Sequence, residues 1–168
     1  KKGAAAFDFA LQWVFEQQRT FMTDWMLEEM DGIADGVCSV LDCNATVWRD
    51  KIRYVNMLPE LVRMECSMLG AWGEATPDSS LTQLRTLDFG AGPFANRTML
   101  LVHHSSIDNT SFINIGFPGF VGVVTGVSSL IGLSEKINDV TNDRNAPGSY
   151  NGLADTLVLR TMLQYATD

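Results

Sequence analysis

Positive charge is scarce in this chain. Twelve lysines and arginines stand against twenty aspartates and glutamates, a net charge of −8 at neutral pH. Phosphate backbones are held by basic surfaces, so this balance argues against nucleic acid as a partner. It suits solubility in an acidic compartment, where lower pH reduces self-repulsion. Histidine is scarcer still, with only His103 and His104. A Cys–His catalytic pair would have to use one of them, and adjacent residues on a strand point to opposite faces, so at most one could serve. No apolar run reaches the roughly 20 residues of a membrane-spanning helix, so no transmembrane segment is expected. The start, Lys1-Lys2-Gly3-Ala4-Ala5-Ala6-Phe7, has no Met and too short an apolar run for a signal peptide. The last residues stop inside a helical pattern without a cap. Both ends lead us to expect a piece of a longer precursor.

Cysteine is also sparse, and its count of three is odd. Cys38 and Cys43 flank Ser39-Val40-Leu41-Asp42, a loop short enough for a local disulfide. Cys66 is left over. It either pairs with a cysteine elsewhere in a longer protein, is simply buried, or is a reactive thiol. Three glycosylation sequons begin at Asn44, Asn96 and Asn109, each near an expected turn. Together with a disulfide they point to the secretory route, with a secreted or lysosomal/vacuolar location.

What is present is apolar. Hydrophobic residues make up 46% of the 168 positions and charged residues 19%, enough for one domain with a full core. From residue 5 to 33, Phe7, Leu11, Val14, Phe15, Met22, Trp25, Met26 and Met30 follow helical spacing, with a break near Thr20 and a cap at Thr23 or Asp24. Gly32 and Gly36 are expected to end this region. Glu28, Glu29, Asp31 and Asp35 lack the histidine partners and spacing of a metal site, so they read as a solvated helix end. Residues 47–64 read as helical, with Pro59 opening a new turn. Residues 66–72 and 81–89 read as a hairpin across the turn-rich stretch 73–80. A short strand is expected at 99–104, three more at 112–117, 120–127 and 130–136, an exposed loop at 138–151, and a helix over 153–165. Helices, then strands, then a helix indicate an α+β fold, in which the helices before Cys66 could form a separate unit.

The chemistry converges on Cys66. A thiolate attacks carbonyls where a base or a nearby positive charge supports it. If the Glu65–Cys66 bond is cut, Cys66 becomes N-terminal, and its own α-amine, with an ordinary pKa of about 7.7–8.0, can serve as general base. Arg85 and Asp88, in Arg85-Thr86-Leu87-Asp88-Phe89, are the natural partners: a guanidinium beside the sulfur and a carboxylate to hold the amine. Strict alternation puts the two on opposite faces, so both reach Cys66 only if the strand ends or bulges near Thr86.

Cys66-Ser67-Met68-Leu69-Gly70-Ala71-Trp72-Gly73 followed by the Arg-x-x-Asp strand resembles the cysteine N-terminal nucleophile (Ntn) hydrolases. Within that superfamily it looks most like the acyl-coenzyme A:penicillin acyltransferase-like family, related to acid ceramidase and bile salt hydrolase. Residues 30–36, the helix before Cys66, 112–136 and 153–165 share the resemblance. It implies a four-layer αββα sandwich, incomplete in this chain, with 1–65 a helical pro-segment or α-chain part and 66–168 the first part of the catalytic domain. It implies autocleavage between Glu65 and Cys66, then hydrolysis or acyl transfer by attack of Cys66 on a linear amide, an N-acyl amide or a small peptide, through an acyl-enzyme. The family's oxyanion-hole asparagine falls near Ser134, in Gly132-Leu133-Ser134-Glu135-Lys136, which makes Ser134 and Glu135 the expected oxyanion or substrate site. The rest of the precursor is an expected partner; no metal and no organic cofactor is expected. Without that asparagine, a catalytically silent Ntn-fold subunit is the alternative, and the phospholipase B-like proteins are a third reading whose motifs match less well.

Overall fold

The computed structural model describes residues 2–62, 65–88, 97, 99–103, 111–136 and 150–166. The chain is α+β and separates into two compact units. One comprises Lys1–Val62, Gly119–Gly122 and Asp143–Val158; the other comprises Arg63–Pro118, Val123–Asn142 and Leu159–Asp168. Gly119–Gly122 and the start of the last helix thus join the helical unit, although they follow residue 65 in the chain.

The helical unit is built on α1 (Lys2–Gln18), a 3₁₀ turn at Arg19–Phe21, α2 (Asp24–Val40), α3 (Ala45–Val55) and α4 (Leu58–Leu61). Leu11, Val14, Phe15, Met22, Met26 and Met30 are buried together, as their spacing predicts. Phe7, expected on the same stripe, is 40% exposed instead. Thr23 caps α2 by position, without a side-chain bond, and Asn44 caps α3 by accepting from the Val47 amide. Pro59 sits in the first turn of α4, where its missing N–H costs nothing.

Gly32 and Gly36 do not end α2, which runs on to Val40. The fully buried Met30 and Ala34 hold it there. Both glycines have open space around them, so their cost is only their modest helix propensity. Asp31 and Asp35 are likewise more than a solvated helix end: each accepts two bonds from an α3 arginine, Arg53 and Arg49 respectively. Cys38, in the last turn of α2, forms a disulfide with Cys43 before α3.

Asn56 is fully buried and satisfies three backbone groups. Its Nδ2 donates to the Ile52 and Gly119 carbonyls, and its Oδ1 accepts from the Val121 amide. Phe120, Val121, Val123 and Val124 are buried without alternation, and the stretch before residue 125 is irregular rather than the strand expected over 120–127.

The second unit holds two antiparallel sheets. The hairpin β1 (Glu65–Gly73) and β2 (Ser79–Asp88) forms one. The other has the order β3 (Met99–His103), β4 (Phe112–Gly116), β5 (Thr125–Ser128) and β6 (Gly132–Ser134). Its two faces differ. Phe112, Leu133 and buried Val123 pack against Leu159 and Leu163 of α5 (Asp155–Tyr165). A Cβ on Gly126 would run into Leu163, which explains the glycine there. On the opposite face, a Cβ on Gly132 would lie 2.5 Å from the Gln83 side-chain oxygen and 2.7 Å from Leu81, so β2 passes directly over β6. Within this unit the layers are therefore hairpin, four-stranded sheet, helix.

Candidate active site around Cys66

Cys66 lies opposite Leu87 in the hairpin, and Met68 lies opposite Arg85. Positions 66, 68, 83 and 85 share one face, because side chains alternate along a strand. Arg85 is thus the diagonal neighbour of Cys66, and its Nη2 donates to the Cys66 sulfur over 3.0 Å. Cys66 is 5% exposed and is a thiol rather than half of a disulfide. Lys136, just past β6, donates from Nζ to the Cys66 carbonyl at 3.4 Å. Two cationic side chains therefore reach the start of β1, one at the sulfur and one at the main chain.

Asp88 pairs with Glu65 at the end of the hairpin. The pairing is regular through Thr86, and the single register shift falls at Ala71/Gly73, at the far end. No register shift falls near Thr86, and Asp88 pairs directly with the residue before Cys66. The Asp88 and Glu65 side chains lie outside the described residues.

Two positions from Arg85 on the same face, Gln83 donates from Nε2 to the Leu133 carbonyl over 2.7 Å and to the Ser134 hydroxyl. This amide ties β2 to β6. Ser134 pairs with Thr125, and the Glu135 amide donates to the Val124 carbonyl, with the Glu135 side chain buried. Gln83, Thr125 and Lys136 were not singled out from sequence. Gln83 was findable, because its i−2 spacing from Arg85 places it on the nucleophile's face; the other two meet this region only through the packing of the second sheet on the hairpin.

A cavity of about 280 Å³ opens beside Arg85, lined by Gln83, Leu84, Ile115, Phe117, Val124 and Thr125 as well. Its walls are mostly apolar, with Arg85 shared between the cavity and the Cys66 contact. His103 lies on the other face of its sheet. Its Nε2 is 3.0 Å from Asn114 Oδ1, and its ring stacks on Phe112, over which Arg160 also lies. That makes it part of the helix-facing layer, across the sheet from the cavity.

Of the sequons, Asn44 is exposed, while Asn96 and Asn109 lie outside the described residues, as does His104. No helix among the described residues is long and apolar enough to cross a membrane. Among them, no group of three or more His, Cys, Asp or Glu side chains could hold a metal.

Two curated proteins of Dictyostelium discoideum are similar to this chain. Protein dcd1B is 32% identical over 158 residues, which are 93% of this chain and 29% of that protein. Protein dcd1A is 33% identical over 147 residues, 82% of this chain and 31% of that protein. The chain thus spans about three-tenths of the length of the curated relatives it matches. No family model matches it, and no solved structure matches it.

Proposed function

We propose that this chain carries the nucleophile of a self-processing cysteine amidohydrolase or acyltransferase of the Ntn class. The observation that carries the reading is the 3.0 Å bond from Arg85 to the sulfur of Cys66, at the head of a strand and beside a mostly apolar cavity. In the first reaction the Cys66 sulfur attacks the Glu65 carbonyl carbon. The C–N bond breaks, the thiol proton passes to nitrogen, and a thioester joins Glu65 to Cys66. Water then releases Glu65 as a carboxylate and leaves Cys66 with a thiol and a free amine. In the second reaction the sulfur attacks a linear amide, the amine relays the proton to the leaving nitrogen, and water or another amine takes the acyl group. Arg85 supplies the counter-charge to sulfur. Asp88, registered across from Glu65, holds the new ammonium, and the Ser134–Glu135 stretch contacts the substrate.

The layering of the second unit supports the finer fold. Hairpin, sheet and α5 are three of the four layers of an αββα sandwich. The outer face of the hairpin bears the paired Leu69 and Leu84, 65% and 60% exposed, and receives the remaining helical layer. The greater length of the relatives fits a partner segment from the same precursor. The Cys38–Cys43 disulfide and the exposed sequon at Asn44 support a secreted or lysosomal location.

Intact mass and N-terminal sequencing of the native protein test this reading. A new N-terminus at Cys66, absent in Cys66→Ala, is the expected result. An unbroken Glu65–Cys66 bond together with a thiol inert to activated esters would leave the catalytically silent subunit, which the unbulged pairing through Asp88 favours.

A further inference from the structure

The segment that ends β6 is fixed on two sides. The Glu135 amide donates to the Val124 carbonyl over 2.8 Å, which carries the pairing of β5 and β6 one residue past Ser134. From the hairpin, Gln83 donates to the Leu133 carbonyl and to the Ser134 hydroxyl. Lys136, two residues past Ser134, returns to the side that meets the hairpin, as alternation along an extended chain requires. There its Nζ lies 3.4 Å from the main-chain carbonyl oxygen of Cys66. That is long for an N–H···O bond, so the contribution of Lys136 is chiefly a positive charge beside a carbonyl dipole.

Cleavage before Cys66 changes what this contact does. In the intact chain Cys66 is held by both neighbours, and Glu65 pairs with Asp88. Once the Glu65–Cys66 bond is broken, Cys66 becomes the end of a strand, where chains fray. The Arg85 contact at the sulfur and the Lys136 contact at the carbonyl both survive that cut. The new α-amine belongs to the same residue, one Cα away from that carbonyl. The ionisable groups around the strand head are Arg85 and Asp88 from β2, Glu135 and Lys136 from the end of β6, and the carboxylates left on Glu65. The cations disfavour a second positive charge on the amine, and the carboxylates favour it.

We propose that Lys136 is a positioning residue for Cys66: its ammonium pins the carbonyl of the cleaved strand head and biases the new α-amine toward the free base. This role rests on Cys66 being the self-processing nucleophile proposed above. A general base works only when unprotonated, so the bias extends activity to lower pH.

Acylation of the mature protein by p-nitrophenyl acetate, followed from pH 5 to pH 9, tests the role, with N-terminal sequencing of each protein. Lys136→Met removes the charge, and Lys136→Arg keeps it. In Lys136→Met the acid limb of the rate profile should move up by on the order of half a pH unit, the effect of one exposed charge at roughly 5 Å in water. Its plateau should fall about 2–10-fold from the lost tether. Lys136→Arg should leave the limb in place and recover most of the plateau. Both variants should melt like the parent, because Lys136 is exposed. An unmoved limb in Lys136→Met, even with a lowered plateau, reduces the lysine to a structural contact and overturns the proposal. An equal shift in Lys136→Arg does the same. A Lys136→Met chain that folds but stays uncleaved also overturns it, because the contact then serves the scissile bond and not the cleaved end. All three outcomes leave self-cleavage of the parent standing, whereas a parent neither cleaved before Cys66 nor acylated overturns the nucleophile and the role of Lys136 together.

Discussion

Arg85 reaches the sulfur of Cys66 from the diagonal position on the neighbouring strand, with Nη2 and Sγ 3.0 Å apart. A hydrogen bond from a charged donor contributes about 1.5–3 kcal/mol, which converts to about 10–150-fold in a rate that depends on it. Arg85→Ala should slow acylation of Cys66 by an activated ester by that factor. Arg85→Lys should recover only part of the loss, because a point charge does not reproduce the planar fork. Following nitrophenolate release, with mass spectrometry to locate the adduct, checks this; equal rates in all three proteins would detach Arg85 from the thiol's chemistry.

The helical unit should become less stable as the medium turns from acidic to neutral. Glu60 accepts from Gln18 Nε2 and from the Asp155 amide. Burial, and then the Asp155 charge, raise its pKa above the ordinary carboxylate value. A raised folded-state pKa means that the folded protein binds the proton more tightly than the unfolded chain does. The corresponding stability is full below the unfolded carboxylate pKa and is lost as pH rises through the folded one. Thermal melts between pH 4 and pH 7.5 should show this fall, and Glu60→Gln should flatten it. An unchanged slope in the variant would assign the dependence to other groups.

Asn56 should be among the costliest polar side chains to remove. Asn56→Ala leaves the Val121 amide and the Ile52 and Gly119 carbonyls without their side-chain partner in a fully buried site. At about 1–3 kcal/mol per lost side-chain bond, and with the Ile52 carbonyl still accepting from the main-chain amide of residue 56, a loss of about 3 kcal/mol is expected. That corresponds to a fall in melting temperature of about 6–12 °C for a chain of this size. A change under about 2 °C would show that these backbone groups find other partners.

Asn44 combines a helix cap with a sequon, and two substitutions separate the roles. Its Oδ1 caps α3, while a glycan would attach to the nitrogen, so capping and glycosylation are compatible. Asn44→Ser removes the sequon and keeps a capping oxygen, so stability without glycan should be retained. Asn44→Ala removes both and should cost about 1 kcal/mol. Mass after expression through a secretory host reads the glycan, and denaturant titration reads the cap.

Much of the helical core was legible because burial on a helix repeats every three to four residues. Leu11, Val14, Phe15, Met22, Met26 and Met30 announced their own face. The hairpin was legible for the corresponding reason at period two. The irregular stretch ending at Val124 was not. Phe120, Val121, Val123 and Val124 are buried in succession, and a run buried on all sides has no period to distinguish a strand from a packed loop. The end of α2 was not legible because Gly32 and Gly36 carry only a local cost, whereas the ion pairs of Asp31 and Asp35 with α3 come from residues 22 and 14 positions further along, respectively.

The same division runs through the site. Sequence by itself determined that Cys66 heads a strand, that Arg85 follows on the partner strand, and that the short Cys38–Cys43 loop is set up to close on itself, since each rests on local spacing. Tertiary structure decided the rest. The register of β1 on β2 put Arg85 on the sulfur and Asp88 across from Glu65, and a slip of one residue would have turned Arg85 to the opposite face. The passage of β2 over Gly132 brought Gln83 to Ser134 and left the cavity between Arg85 and Thr125. The contacts of Gln83 with Leu133 and Ser134 join residues 50 and 51 positions apart, and no local pattern encodes them, because they are set by which faces the two sheets bury together.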